Sequence, residues 1–467
     1  MVKRRSMGGR MATGIAAVML TAGAGVRAQE QGSAGLTLGQ AVEAALRNYP
    51  SVRVSQEQIN AAAAGIQLAR SAYLPRVDGL AQVNRATRNN VFGMLLPQRV
   101  IPPISGPVLG TNNLGTTWGT AIGALVSWEP FDFGARKAGV DAATAARARS
   151  EATLQRTRYD VAVAAADSYV TLVAARETVR AAQAGVERAQ VISRTIDALV
   201  NAQLRPGADA SRAAAELAAA RTQLIQARQA VEVARANLSR FVGEEAARIR
   251  ISAPRLLELP PVGHAAPFDP ANPAAIEQRA VVEQLRAQMR ILERSYFPRF
   301  YLQASAYARG TGAETGGRIQ GGANGLAPNF QNYALGFTVE FPVMDFAAIR
   351  ARKAVQSSNL RAEAARYQQI AVDLKAQWRA AAAMLQGARE VAANTPAGVK
   401  AARAATSQAT ARYQSGLGNV DEVAEAQRLL TQAEIDDALA RLGVWRSLLA
   451  VATALGDIQP FVVEASR

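Results

Sequence analysis

The chain has 467 residues, no cysteine, one histidine and a formal net charge of +16 at pH 7. Without cysteine there is no disulfide framework, no thiolate metal site and no lipid-bearing cysteine, and the one histidine, His264 in a Pro-rich segment, reads as a surface residue rather than a base or ligand. Basic and acidic residues are interspersed, without an aromatic-basic stripe, so the charge describes solvated helix faces and no nucleic-acid partner is expected.

Residues 1–28 read as a secretory signal. Lys3, Arg4, Arg5 and Arg10 precede an apolar run beginning MATGIAAVML, and Val26 and Ala28 suit cleavage after Ala28. With Arg27 this segment carries five positives and no acid, leaving +11 (16 less 5) for the rest. No later stretch approaches the roughly 18–20 apolar residues of a spanning helix, so an exported chain without a transmembrane helix is expected.

A first structural repeat is expected over residues 29–243. Its opening Ala- and Arg-rich helix runs into RSAYLPR at 70–76, where Pro75 ends it. Alternation then predicts a strand at about 76–84 and, after a long Gly-, Asn- and Pro-rich loop, another at about 118–131, with Trp118, Ile122, Val126 and Trp128 on one face. From Gly134 to Arg205 strong helix formers follow one another without proline. About 65–70 residues at ~1.5 Å each make a rod on the order of 100 Å. A turn at 201–211 leads into a shorter helix running back, from Asp209 to Val242.

Residues 244–275, with prolines at 254, 260, 261, 267, 270 and 273, read as a linker without regular structure. The plan then restarts over 276–456. RSYFPR at 294–299 answers the first junction, strands are expected at about 299–307 and 332–343, and a turn falls at 413–423. Pro396 is expected to kink or interrupt the second long helix, and 457–467 is a C-terminal tail. The register supports duplication: Asp132 and Asp345 are 213 positions apart, as are Gly243 and Gly456, while Pro75 and Pro298 are 223 apart. Asp132 and Asp345 are both expected to cap the long helices that follow them.

In the last strand Tyr333, Leu335, Phe337, Val339, Phe341 and Val343 alternate with small or polar residues. Strands of about 9–11 residues with one apolar face suit a barrel wall in lipid; an ordinary hairpin on a soluble core is the alternative. Four strands cannot close in lipid, so the chain would assemble with copies of itself. Three copies supply twelve strands and an aqueous lumen, whereas two supply eight and a filled interior.

These features together resemble the TolC family of outer-membrane efflux and secretion ducts. The motifs are YLPR and YFPR at the helix–strand junctions, FDFG and MDFA where strands return to helix, LLELPPVG in the linker and ARYQSGLGNVDEVAEAQ at 411–427. The resemblance implies an α+β membrane protein with an internal two-fold structural repeat. Four strands per protomer would enter a trimeric 12-stranded β-barrel above a long antiparallel helical coiled-coil barrel that crosses the periplasm. It also implies a homotrimer in outer-membrane lipid, partnered by a periplasmic adapter (membrane fusion) protein and an inner-membrane pump. No cofactor, metal or catalysis is implied.

By the same resemblance, Tyr413 and Asp209 form a gate bond between the two tip turns, and Glu422 and Glu425 form acidic rings that attract cations. Solvated glutamates at a helix N-terminus are the alternative for this pair. Leu204, Gly416 and Leu417 are the adapter-binding tip. An arginine of the family's gate corresponds to Gly418, so that link is absent or supplied by another group such as Arg205. No enzyme motif competes: Asp436–Asp437 and Glu244–Glu245 are adjacent pairs that point to different helix faces, and there is no P-loop or dinucleotide fingerprint. The rival function is a soluble periplasmic coiled-coil adapter or scaffold.

Overall fold

The computed structural model describes residues 35–87, 115–261, 267–268, 271–312, 318 and 320–466. The signal segment 1–28, His264 and most of the first inter-strand loop lie outside them. In chain order the elements are α1 Leu38–Asn48, α2 Pro50–Ser71, β1 Arg76–Thr87, β2 Thr116–Trp128, α3 Ala135–Asn201 and α4 Gly207–Val242. There follow α5 Pro273–Arg294, β3 Arg299–Thr311, β4 Phe330–Glu340, α6 Phe346–Gln414, α7 Val420–Leu455 and α8 Gln459–Ser466. Helices α2 and α5 both span 22 residues, 223 positions apart (50 to 273), and α4 and α7 both span 36, 213 apart (207 to 420).

Local chemistry sets the boundaries. Thr37 and Gln40 form a capping box at α1, and Pro50 takes the first turn of α2, where its missing N–H is no loss. The Asn272 side chain accepts from the Ala274 N–H at 3.0 Å to start α5, and its amide donates to the carbonyls of Thr453 and Ala454 at the end of α7. Asn48 does the same for α4, donating to the Val242 carbonyl at 2.7 Å. The orphan carbonyls of both returning helices are thus met by an asparagine from elsewhere in the chain.

The long helices are stabilised laterally. Helix α3, 67 residues and on the order of 100 Å long, packs with α4 over its lower part and with α2 and α5 nearer the sheet. Helix α6, 69 residues, packs in the same way with α7 and α5. Alanines at the contacts let the rods approach closely, and such lengths are stable because of tertiary packing rather than propensity.

The main core is a girdle at mid-height, where α1, α8 and the linker wrap α3, α4 and α7. Trp445, Tyr169, Leu238 and Leu256 are fully buried there, each large apolar side chain contributing about 1.5–3 kcal/mol. Their polar atoms are satisfied. The Tyr169 hydroxyl lies 2.8 Å from the carbonyl oxygens of both Leu36 and Ser252 and shares its one proton between them, and Trp445 Nε1 donates to the Glu258 carbonyl at 2.8 Å.

Five expectations need correction. The linker is partly ordered: Ala246–Arg248 and Arg255–Leu257 are 3₁₀ turns, and Ile251 bridges to Leu36, because Ile249, Ile251 and Leu256 are drawn into the girdle. Pro396 does not interrupt α6, which is helical from Phe346 to Gln414. The packing of Leu385, Ala392 and Ala402 on both sides of it outweighs the lost hydrogen bond. Helix α7 does reach the length and hydropathy of a membrane span. Its apolar side chains Leu442, Trp445 and Leu449 are buried in the girdle, which explains that composition.

Asp132 caps α3, but the side chain of Asp345 makes no capping bond to α6. After Asp132, Phe133 and Gly134 are both left-handed (φ 50° and 86°), which folds the chain back so that the carboxylate receives the N–H groups of Gly134 and Arg136 and the Arg136 guanidinium. Burial raises the Asp132 pKa, and these hydrogen bonds outweigh it to leave the pKa lowered. Asp345 already has helical backbone angles (φ −83°, ψ −6°) and no such reversal after it. Finally, all four strands run further toward the inter-strand loops than expected, and on the helix side β1 and β3 begin at residues 76 and 299 as expected while β2 and β4 stop sooner. Pro130 and Pro342, which lack a donor, lie beyond the observed ends Trp128 and Glu340.

The strands form one antiparallel sheet in the order β1-β2-β3-β4. The pairings Val126↔Ala304, Leu302↔Phe337 and Ala304↔Leu335 put the apolar residues on one side. That side is bare: Tyr333 is 89% exposed, Leu335 74% and Phe337 61%. The other side holds Leu125, Gln303, Ser305 and Tyr307, all buried. An aromatic group of Phe131, Phe133, Phe297 and Phe300 gathers where the sheet meets the helices.

Candidate functional site

At the end of the helical body remote from the sheet, two turns meet. The first joins α3 to α4 and the second joins α6 to α7. Each closes with the same pair of hydrogen bonds. In the first, Leu204 N–H donates to Leu199 O and Gln203 N–H to Val200 O, both at 2.9 Å. In the second, Leu417 N–H donates to Arg412 O at 2.8 Å and Gly416 N–H to Tyr413 O at 3.2 Å. This Schellman-type ending needs a left-handed residue. Gly416 supplies it at φ 79° without strain, while Gln203 adopts φ 59° at a cost of about 1–2 kcal/mol. The next residue in each turn is a leucine pushed into solvent, Leu204 at 69% and Leu417 at 74% exposure.

The turns are bonded to each other. Tyr413 is buried among Ile196, Ala213, Val420 and Val423, and its hydroxyl donates to Asp209 Oδ2 at 2.9 Å. Arg205 stacks on the Tyr413 ring, Cζ 4.4 Å from the centroid, and donates to the Tyr413 carbonyl. Burial, then the hydrogen bond to Asp209 and its charge, push the Tyr413 phenol up to about 12 against the opposing pull of Arg205. Arg212 of α4 pairs with Asp421 of α7.

The structure brings Tyr413 and Asp209 together and leaves Leu204, Gly416 and Leu417 exposed at the extremity. Glu422 and Glu425 lie one turn apart on α7, and both have arginine partners. Arg412 Nε is 3.6 Å from Glu422, and Arg428 Nη2 is 2.9 Å from Glu425. Arg428 also reaches Glu216 of α4 at 3.8 Å. Asn419 caps the start of α7, its side chain accepting from the Glu422 N–H at 2.9 Å. Sequence reasoning overlooked Arg212, Arg412 and Arg428. The i, i+3 spacing of Glu425 and Arg428 was a readable signal, whereas the Arg212–Asp421 contact depends on how two distant turns dock.

The described residues contain no group of three or more His, Asp or Glu side chains placed to hold a metal ion. What the arrangement can do is hold two helical hairpins together at their free ends through a small set of breakable polar contacts.

Known proteins agree with this architecture. CmeC, an outer membrane channel of Campylobacter jejuni, superposes with a TM-score of 0.71 at 18% identity, over 92% of this chain and 89% of that one. VceC, an outer membrane protein of Vibrio cholerae, gives 0.70 at 18% identity, over 90% and 96%. MtrE, an outer membrane channel of Neisseria gonorrhoeae solved in its open state, gives 0.69 at 18% identity, over 90% and 89%. A search of curated proteins finds no match. At such identities the structures establish the fold, and the family assignment rests on sequence: a model of outer membrane efflux proteins matches residues 41–244 and 271–457. That match favours a channel over a soluble adapter or scaffold. The chain belongs to the outer membrane efflux protein family, and it is an outer-membrane exit channel of efflux systems.

Proposed function

We propose that three copies of this chain close a twelve-stranded barrel in the outer membrane, and that their helices form a coiled-coil tunnel whose tip is a gate. The observation that carries the reading is the sheet. Strands β1 and β4 are its two edges, and its apolar side is exposed. Lipid supplies no partner for the N–H and C=O groups of an open edge, so edges must be closed by neighbouring copies. Twelve strands leave a wetted lumen.

The duct is passive and catalyses no reaction. Tyr413 and Asp209 latch the tip, and Glu422 and Glu425 line its constriction. Leu204, Gly416 and Leu417 are the knobs to which a periplasmic adapter docks, linking the duct to an energised inner-membrane pump. The exposed leucines on tightly closed turns suit insertion between partner helices.

The test is assembly. The mature chain, extracted from outer membranes in detergent, is expected to run as a heat-modifiable trimer and to form channels in planar bilayers. A water-soluble monomer with no channel activity would reject the reading.

A further inference from the structure

Above the tip, the two helical pairs touch at a level where their contact is unusually close and directional. Gly185 of α3 faces Thr431 of α7, and a Cβ at position 185 would stand 3.0 Å from Thr431 Oγ1. One turn away Arg188 of α3 donates to Thr431 Oγ1 at 2.9 Å and pairs with Glu434 of α7 at 3.0 Å. Glu434 also takes Arg403 of α6 at 3.5 Å. A single carboxylate, with its side chain 19% exposed, therefore joins α3, α6 and α7.

Between this node and the tip the contact changes character. Ile192 and Ile196 of α3 meet Val420 and Val423 of α7, an apolar and non-directional contact. A cleft of about 450 Å³ runs between α4 and α7 from Gly185 and Thr431 at the crossing to Glu216, Glu425 and Arg428. Below Thr431 helix α7 is held to α4 by the polar pairs Arg428–Glu216 and Arg212–Asp421, which can break, and its apolar contact with α3 can slide. The eleven helical steps from Val420 to Thr431 make an arm of about 16 Å.

We propose that the Gly185–Thr431 crossing, held by Arg188 and Glu434, is the fixed point about which the lower ends of the two helical pairs swing when the tip opens. The proposal rests on the gate reading above. The close approach leaves no slack for the helices to separate there, and the ion pairs to Glu434 hold both members of the α6–α7 pair to α3. Movement is concentrated below, where the latch sits.

The chain has no cysteine, so one engineered pair gives a clean probe. A Cβ at 185 would lie 3.7 Å from Thr431 Cβ, inside the span of about 3.5–4.5 Å that a disulfide needs. Gly185→Cys and Thr431→Cys are introduced into the full chain together with Tyr413→Phe and Arg205→Ala, which unlatch the tip. Single-channel conductance of the trimer is then read in planar bilayers, reduced and oxidised. The expected result is a raised conductance in the reduced channel and no loss of it on oxidation. A raised conductance that falls back to the closed level on oxidation overturns the fixed point, because the helices must then part at that level. A reduced channel that conducts like the parent overturns the gate reading and the pivot with it. A second variant, Glu434→Gln, leaves the latch intact and is expected to raise basal conductance by loosening the node; parental conductance there counts against the proposal.

Discussion

Arg205 lies over the ring of Tyr413 and donates to the carbonyl of that same residue, from a position 213 before Gly418 (205 to 418). The duplicated turns therefore differ in which one carries the cation. In this chain the first turn holds it, and it reaches across to a tyrosine at the end of α6. Replacing Arg205 by Ala removes a charge-assisted hydrogen bond of about 1.5–3 kcal/mol and a cation–π contact of about 0.5–1 kcal/mol. The closed tip should lose roughly tenfold or more in population. Single-channel recordings should show larger and more frequent openings, and Arg205→Lys should fall between, since an ammonium keeps the charge but not the planar stack. Parental closure in Arg205→Ala would remove this residue from the latch.

The phenol adds an alkaline limit. A folded pKa pushed up from 10.0 to about 12 means that the tip with Tyr413 buried against Asp209 binds this proton more tightly than a chain in which the phenol is exposed and away from Asp209. Its contribution is complete below pH 10 and is lost as pH rises through about 12. Conductance should accordingly be indifferent to Tyr413 ionisation near neutrality and rise in that alkaline window. Tyr413→Phe should conduct more at neutral pH, by about 1 kcal/mol of lost hydrogen bond, and show no further alkaline rise from this group. Identical alkaline limbs in both proteins would exclude the phenol as the titrating group.

Much of this was legible in the sequence because the chain says it twice. The Pro75 and Pro298 junctions, the long helices and the exposed row Tyr333, Leu335, Phe337 all follow from composition and period. Contacts between distant segments did not. Pro396 reads as a helix breaker until α7 is packed beside it, and Asp345 reads as a second cap until its backbone angles are known. The tip was readable through a resemblance for Tyr413 and Asp209, but the arginines facing Glu216 and Asp421 depend on docked turns that no local pattern encodes, and the one facing Glu422 on how the α6–α7 turn closes. Arg205 could be anticipated only as one candidate.

Those arginines change what the acidic pair should do. Rings of carboxylates attract multivalent cations, but Arg428 stands between Glu425 at 2.9 Å and Glu216 at 3.8 Å. The parent channel should be weakly blocked by trivalent cations from the tip side. Arg428→Ala exposes two carboxylates per copy, six in a trimer, and should strengthen that block by about tenfold or more. Titration of planar-bilayer current with a trivalent metal complex, in low salt where exposed charges are least screened, measures it. Equal block in parent and variant would mean that Arg428 leaves those carboxylates uncompensated.

The sheet offers a stability test with an internal control. Gly123 of β2 sits opposite Tyr307 of β3, and a Cβ added there would stand 2.3 Å from Tyr307 Cβ and 2.5 Å from the Ala306 carbonyl. Backbone cannot yield that far without opening the ladder between β2 and β3, so Gly123→Ala should cost at least about 1–3 kcal/mol, the usual range for overpacking. Gly79 of β1, on the opposite side of the sheet, has open space around an added Cβ, and Gly79→Ala should be tolerated. The readout is the temperature at which the detergent-extracted trimer loses its heat-modifiable band. A drop for Gly123→Ala with little change for Gly79→Ala is the expected pattern. Equal behaviour of the two would mean that β2 and β3 do not approach this closely in the assembled wall, and the face assignment on which the lipid-exposed row depends would have to be redrawn.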